Sequence, residues 1–175
     1  MNRVLIAAVG NVLRGDDGFG AAVIEAFQRD GLVVDGIRIA DVGIGGIALI
    51  HELLDGFDAL IAVDCVDRGG APGTLYVLDV RVPTMEAIPE AEHVALTADL
   101  HEIGLDRVLL VARAAGALPR RVWLVGCQPA QTEEFSMELS GPVRAAVPAA
   151  VDAIRGLIRS LSEDIRAAEA HDAGA

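Results

Sequence analysis

The side chains most able to do chemistry in this chain are acidic, and they recur at the ends of short apolar runs. Asp16 and Asp17 follow the first run, inside GNVLRGDDGFG; Asp41 closes the second; Asp64 sits within the third, ALIAVDCV. A carboxylate among apolar neighbours is costly unless partnered. Asp64 is therefore either an acceptor for the N–H groups of a neighbouring loop, or a metal ligand or general acid/base. Asp16 and Asp17 come just before a helical pattern, where N-capping and the helix dipole are an ordinary use of Asp. Three acidic positions at one edge of a sheet repel one another, and a metal ion or a shared proton would compensate them.

Four histidines add to this set. His51 falls on the polar side of a helical stripe and His171 in the tail, and both read as surface residues. His93 and His101 bracket an irregular stretch. His101 precedes a helix, so the loop before it could carry its imidazole over the sheet edge. One His with two carboxylates makes a mixed nitrogen and oxygen site suited to nickel or zinc.

The elements that must position these groups follow from periodicity. Apolar runs at 3–9, 37–42, 59–66, 74–80 and 121–127 read as strands. Helical stripes include Phe19, Val23 and Phe27; Ile47, Ile50 and Leu54; Leu105, Val108 and Ala112; and Val147 through Ile165. The alternation predicts an α/β fold: a three-layer α/β/α arrangement with a twisted, mostly parallel five-stranded sheet and helices on both faces. Ligands in such sheets sit beyond the carboxyl ends of the strands, where Asp16 and Asp17, Asp41 and Asp64 fall. The fourth strand follows a short Gly/Pro turn and is expected to form a hairpin with the third. Residues 81–100 read as a long surface loop, of the kind that is usually functional or mobile. One domain is expected over 1–166, with 167–175 a frayed tail.

Composition excludes other classes. The 175 residues carry 14 basic and 26 acidic side chains, a net charge of −12, which argues against nucleic acid as a partner. Aromatics are only 3%, so Ala, Val, Leu and Ile must build the core. No GxGxxG is present, and two carboxylates in the first loop would oppose a pyrophosphate, against a nucleotide-binding module. Cys65 and Cys127 lie in strands without CxxC spacing, as free thiols of a reducing cytoplasm. The first residues lack the cleavage site of a signal peptide, and no apolar run approaches the ~20 residues that span a bilayer. No Ser sits in a nucleophile elbow, which argues against a serine peptidase.

Four stretches in order are similar to one family. GNVLRGDDGFG resembles the Gly-Asn and Asp-Asp/Glu-Gly loop of the hydrogenase maturation endopeptidases. DVGIGGIALIHELL resembles their second-strand Asp-Gly turn and helix, and ALIAVDCVDRGGAPGTLYVL their Asp-bearing strand and Gly-x-Pro-Gly-Thr turn. HEIGLDRVLLVARAAGALPRRVWLVGCQP resembles their His-x-x-Gly-Leu helix and the strand ending near Gln-Pro. The likeness runs to about residue 155. It implies removal of the C-terminal extension from a nickel-containing hydrogenase large-subunit precursor after nickel insertion, by a cytoplasmic enzyme; action as a monomer on the larger partner is expected. It implies Asp17, Asp64 and His101 as the metal-recognition set and, with Asp41, as the catalytic residues. The nickel is substrate-borne or bound at the site; zinc or cadmium could substitute in vitro. Hydrolysis would be metal-assisted, or run through a carboxylate base such as Asp41 or Asp16. A docking or checkpoint module that binds the same precursor without cutting it is the alternative. The chain departs from the pattern in having Asp17 where some relatives have Glu, and Ile44 where a small or hydroxyl residue is common.

Overall fold

The computed structural model describes residues 3–29, 31, 35–44, 46–84 and 104–172. Five strands form one sheet: β1 (Val4–Val9), β2 (Ile37–Gly43), β3 (Ala59–Cys65), β4 (Leu75–Asp79) and β5 (Arg121–Cys127). Among the described residues four helices flank it: α1 (Phe19–Arg29), α2 (Gly46–Leu53), α3 (Leu105–Ala114) and α4 (Gly141–Asp172). A 3-10 turn, Gly15–Gly18, leads into α1.

The strand order is β2-β1-β3-β5-β4, parallel except for β4. β1 and most of β3 are buried on both faces, as a parallel sheet between helix layers requires. Alternate residues feed two cores. Ile6, Ile61 and Val63 pack with Phe19, Phe27 and Ile154 of α1 and α4. Leu5, Ala7 and Leu60 pack with Leu49, Leu53 and Leu109 of α2 and α3. The helical backbone of the last element runs to Asp172, past residue 166 where the sequence reading ends the domain.

The expected β3–β4 hairpin does not form. β5 lies between the two strands, and β4 runs antiparallel to β5 with Leu75 opposite Cys127 and Val77 opposite Val125. The connection over 66–74 is long enough to cross the end of β5, and the end of β5 holds it there. The Val66 N–H donates to the Cys127 carbonyl (2.9 Å), and the Gly73 N–H to the Gln128 carbonyl (2.8 Å).

The chain leaves β1 for β2 on one side and later returns to place β3 on the other. The carboxyl ends of β1 and β3 therefore form the switch point of the sheet, where such folds bind ligands. Gly20 lets α1 sit directly on this point. A Cβ there would lie 2.5 Å from the Val63 carbonyl oxygen and 2.7 Å from that of Val9.

Candidate active site

At the switch point lies a cavity of about 350 Å³, lined by Val9, Gly10, Asn11, Arg14, Asp17, Ile44, Asp64, Gly104 and Leu105. A larger hollow of about 490 Å³ lies at the opposite end of β5. Its charged walls are Asp79 and four arginines, Arg81, Arg113, Arg120 and Arg121, a poor set for acid/base work. The smaller cavity, which holds the carboxylate pair, is the candidate site.

Asp17 is placed by its own loop. Gly10 takes a φ of 120°, open to glycine, and a Cβ there would meet the Asp17 carbonyl oxygen at 2.0 Å. That close approach lets the Asn11 N–H donate to Asp17 Oδ2 at 2.8 Å. Asp64 extends from β3 into the same cavity, and its Oδ1 accepts the Cys65 N–H at 2.7 Å. Burial pushes its carboxyl up to about 7; the Asp17 charge adds to the rise, and the Cys65 N–H partly opposes it. Asp64 is thus about half protonated near neutral pH, the condition of a general acid/base.

Asp16, its neighbour in sequence, has another role. It is fully buried, and both its carboxylate oxygens are committed. Oδ2 accepts the Ala130 and Gln131 N–H groups (2.8 and 3.3 Å), and Oδ1 accepts the Ser140 N–H (2.6 Å). It ties the loop after β5 to the loop after β1, which removes it as the general base suggested by the sequence. Asp41 is exposed, and its Oδ1 accepts the Gly43 N–H at 3.0 Å. In register it pairs with Ala8, which belongs to the α1/α4 core, whereas Asp64 alternates in phase with Leu60 of the other core. The two carboxylates leave opposite faces of the sheet. Asp41 lines a second hollow, about 390 Å³, with Val12, Gly18 and Met137.

His101 and His93 lie outside the described residues. Gly104, three positions after His101, lines the cavity beside Asp17 and Asp64. Among the described residues no three His, Cys, Asp or Glu side chains form a metal cluster. The pair Asp17 and Asp64 is nevertheless an oxygen donor set suited to a divalent cation, because a positive charge would relieve the burial and repulsion that hold Asp64 protonated. His51 is exposed on α2, as expected.

Two residues were not anticipated. Arg14 lines the carboxylate cavity; its position three residues before Asp17 in a Gly-punctuated loop was the available signal. Gln128 is buried and organises the β3–β4 crossing. Its Oε1 accepts the N–H groups of Arg68 (2.8 Å) and Gly70 (3.1 Å) and the Tyr76 hydroxyl (3.3 Å), while its Nε2 donates to Asp67 (2.8 Å). These bonds hold the Asp67 carboxyl below its usual range, the Gln128 bond contributing most and the Gly69 N–H next.

An open α/β protein with a carboxylate pair at its switch point is a frame on which hydrolytic enzymes are built. Comparison narrows the class. The family model described as "HycI: Hydrogenase maturation protease" matches residues 21–156. The hydrogenase expression/formation protein HupD of Rhizobium leguminosarum bv. viciae is 35% identical over 159 residues, covering 90% of this chain and 75% of that protein. The hydrogenase maturating endopeptidase HybD of Escherichia coli superposes with a TM-score of 0.71 at 28% identity, over 90% of this chain and 93% of that one. A hydrogenase 2 maturation peptidase from a Thaumarchaeota archaeon gives 0.65 at 36% identity, over 89% and 97%. The chain belongs to the hydrogenase maturation protease family.

Proposed function

We propose that this peptidase removes the C-terminal extension of a nickel-containing hydrogenase large-subunit precursor once nickel has been inserted. The observation that carries the reading is the Asp17/Asp64 pair in one cavity, with Asp64 poised near neutrality by burial and by its acidic neighbour. On this reading the nickel arrives as part of the substrate and is met by Asp17 and Asp64, with His101 as the third ligand. A precursor without metal would leave two carboxylates facing each other and bind poorly. The family membership and the HupD, HybD and archaeal relatives support the substrate class.

The hydrolysis assigned to the chain's own residues is as follows. A water oxygen attacks the scissile carbonyl carbon while Asp64 takes the water's proton. The C–N bond then breaks, and the leaving amine takes the proton back from Asp64. Asp17 keeps the pair's shared charge near the nickel. Arg14, which lines the cavity, is assigned the positive charge that favours the oxyanion as the carbonyl becomes tetrahedral. Asp41 acts on the substrate from the second hollow rather than at the scissile bond. The two free thiols suit a cytoplasmic site of action, and the chain works as a monomer on its larger partner.

The test is cleavage of the cognate precursor, nickel-loaded and nickel-free, followed by intact mass, with Asp64→Asn beside the wild type. Loss of the tail from the loaded form alone, abolished in the variant, supports the reading. Retained binding of loaded precursor without any cleavage by the wild type would replace the peptidase with a docking module.

A further inference from the structure

Phe135 and Met137 are 83% and 75% exposed, the largest exposures among the described large apolar side chains. They flank Ser136 in a segment whose backbone is held in place. The Ser136 N–H donates to the Leu13 carbonyl (3.0 Å), the Ser136 carbonyl accepts the Gly15 N–H (2.7 Å), and Arg14 and Ser136 form a parallel bridge. The buried carboxylate of Asp16 fixes the same loop at Ala130, Gln131 and Ser140. The Leu13 carbonyl holds the Ser136 N–H, and the Leu13 side chain, 40% exposed, adds a third apolar group to this surface. Met137 borders the hollow that holds Asp41. The strip reaches the Asp41 hollow through Met137, and Arg14, the bridge partner of Ser136, lines the carboxylate cavity.

A loop ordered by a buried carboxylate, yet holding a Phe and a Met out in water, has the form of an interface centre before its partner arrives. The charge around it narrows the partner. Glu133, Glu134 and Glu138 flank the two apolar side chains in sequence and are exposed. Among the described residues Glu138 pairs with Arg144 at 3.5 Å, with both side chains well solvated, a weak pair. The surrounding chain carries −12. An apolar segment flanked by basic side chains is the complement.

We propose that Leu13, Phe135 and Met137 form the docking patch for the folded body of the protein substrate, which presents an apolar segment flanked by Lys or Arg. This rests on the peptidase reading above. The patch would hold the precursor while its tail lies in the cavity.

The test is affinity for the nickel-loaded precursor, measured in an Asp64→Asn background so that nothing is cut. Phe135→Ser with Met137→Ser should weaken binding about 30-fold, the scale of a hot-spot loss. In the cutting enzyme the same pair should raise KM with kcat nearly unchanged. Glu133→Lys with Glu134→Lys should weaken binding less, and the difference should fade in high salt. Thermal melts equal to wild type would show that these exposed changes leave the fold intact; Phe135→Lys alone is the second variant if the pair melts early. Unchanged binding and KM in the Phe135/Met137 variant would overturn the docking patch and leave the peptidase reading standing. Binding that depends on Phe135, with no cleavage by the wild type, would do the reverse.

Discussion

Asp16 and Asp64 are carboxylates withdrawn from water within one small region, joined through Cys65, yet their surroundings differ in kind. Asp16 receives three backbone N–H groups from a loop more than a hundred residues away. Asp64 receives one, from the residue after it, and faces Asp17 across a cavity. The first is a finished structural contact. The second is a site with unspent electrostatic demand. Burial of an acid is thus not what marks function here; incomplete satisfaction of a buried acid is.

The largest expected effect breaks the finished side. Asp16→Ala strands three N–H groups that the carboxylate now accepts, each costing about 1–3 kcal/mol if left dry. The variant should lose on the order of 4 kcal/mol, a Tm drop of roughly 10 °C for a chain this size. Asp16→Asn should fall between, since it keeps one acceptor oxygen. A melt within about 2 °C of wild type would mean that water replaces the carboxylate and that the loop after β5 is not held by it.

The open side should respond to pH with the opposite sign. Asp64 has a folded-state value of about 7 against an ordinary 3.8, so the fold prefers the neutral acid. The stability this gives is complete below the unfolded value, declines above it, and is lost as pH rises through the folded value. Asn cannot ionise. Metal-free Asp64→Asn should therefore gain on wild type between about pH 4 and pH 8, by on the order of 3 kcal/mol. Paired urea titrations across that range check it. A constant difference would show that Asp64 is as well satisfied as Asp16. The pH profile of kcat/KM, which reports the free enzyme, should show the same Asp64 ionisation near 7.

That contrast was only half legible in the sequence. Apolar runs and helical stripes are local, so the strands and helices could be read; β5 matched at both bounds, Arg121 and Cys127. Strand order is not local. The turn after β3 looks the same whether β4 folds back on β3 or crosses β5, and the deciding bonds come from Gln128, more than fifty residues on. The same holds for the acids. Asp16 and Asp17 are adjacent and identical in type, and only Ala130, Gln131 and Ser140 distinguish them. Asp41 and Asp64 both end strands, and only the register of β1 with its two neighbours puts them on opposite faces.

Gln128 offers a second finished contact against which to measure Asp16. It is neutral, so its loss leaves unpaired amides and one exposed carboxylate, Asp67, that keeps the Gly69 N–H and water. Gln128→Ala should cost about 2 kcal/mol, less than Asp16→Ala. Amide exchange at Arg68 and Gly70 should accelerate, while that of Asn11, bonded to Asp17, should not. Equal acceleration at all three would mean that the crossing and the carboxylate cavity open as one unit.

The smallest effect is expected at the residue joining the two acids. The Cys65 thiol donates to the Asp16 carbonyl at 2.6 Å, and the Cys65 N–H donates to Asp64. Burial first, and then the Asp64 charge, push the thiol well above its ordinary value, so it stays protonated at any pH the enzyme meets. A protonated thiol is neither nucleophile nor metal ligand. Native protein treated with iodoacetamide at about pH 8 should show no added mass at Cys65. Cys65→Ala should cost about 1 kcal/mol, the worth of one hydrogen bond, and leave cleavage intact, because the backbone N–H that orients Asp64 survives the change. If Cys65→Ala instead abolished cleavage without moving the melt, the thiol would belong to the chemistry, and the division between a finished and an open carboxylate would have to be redrawn through Cys65.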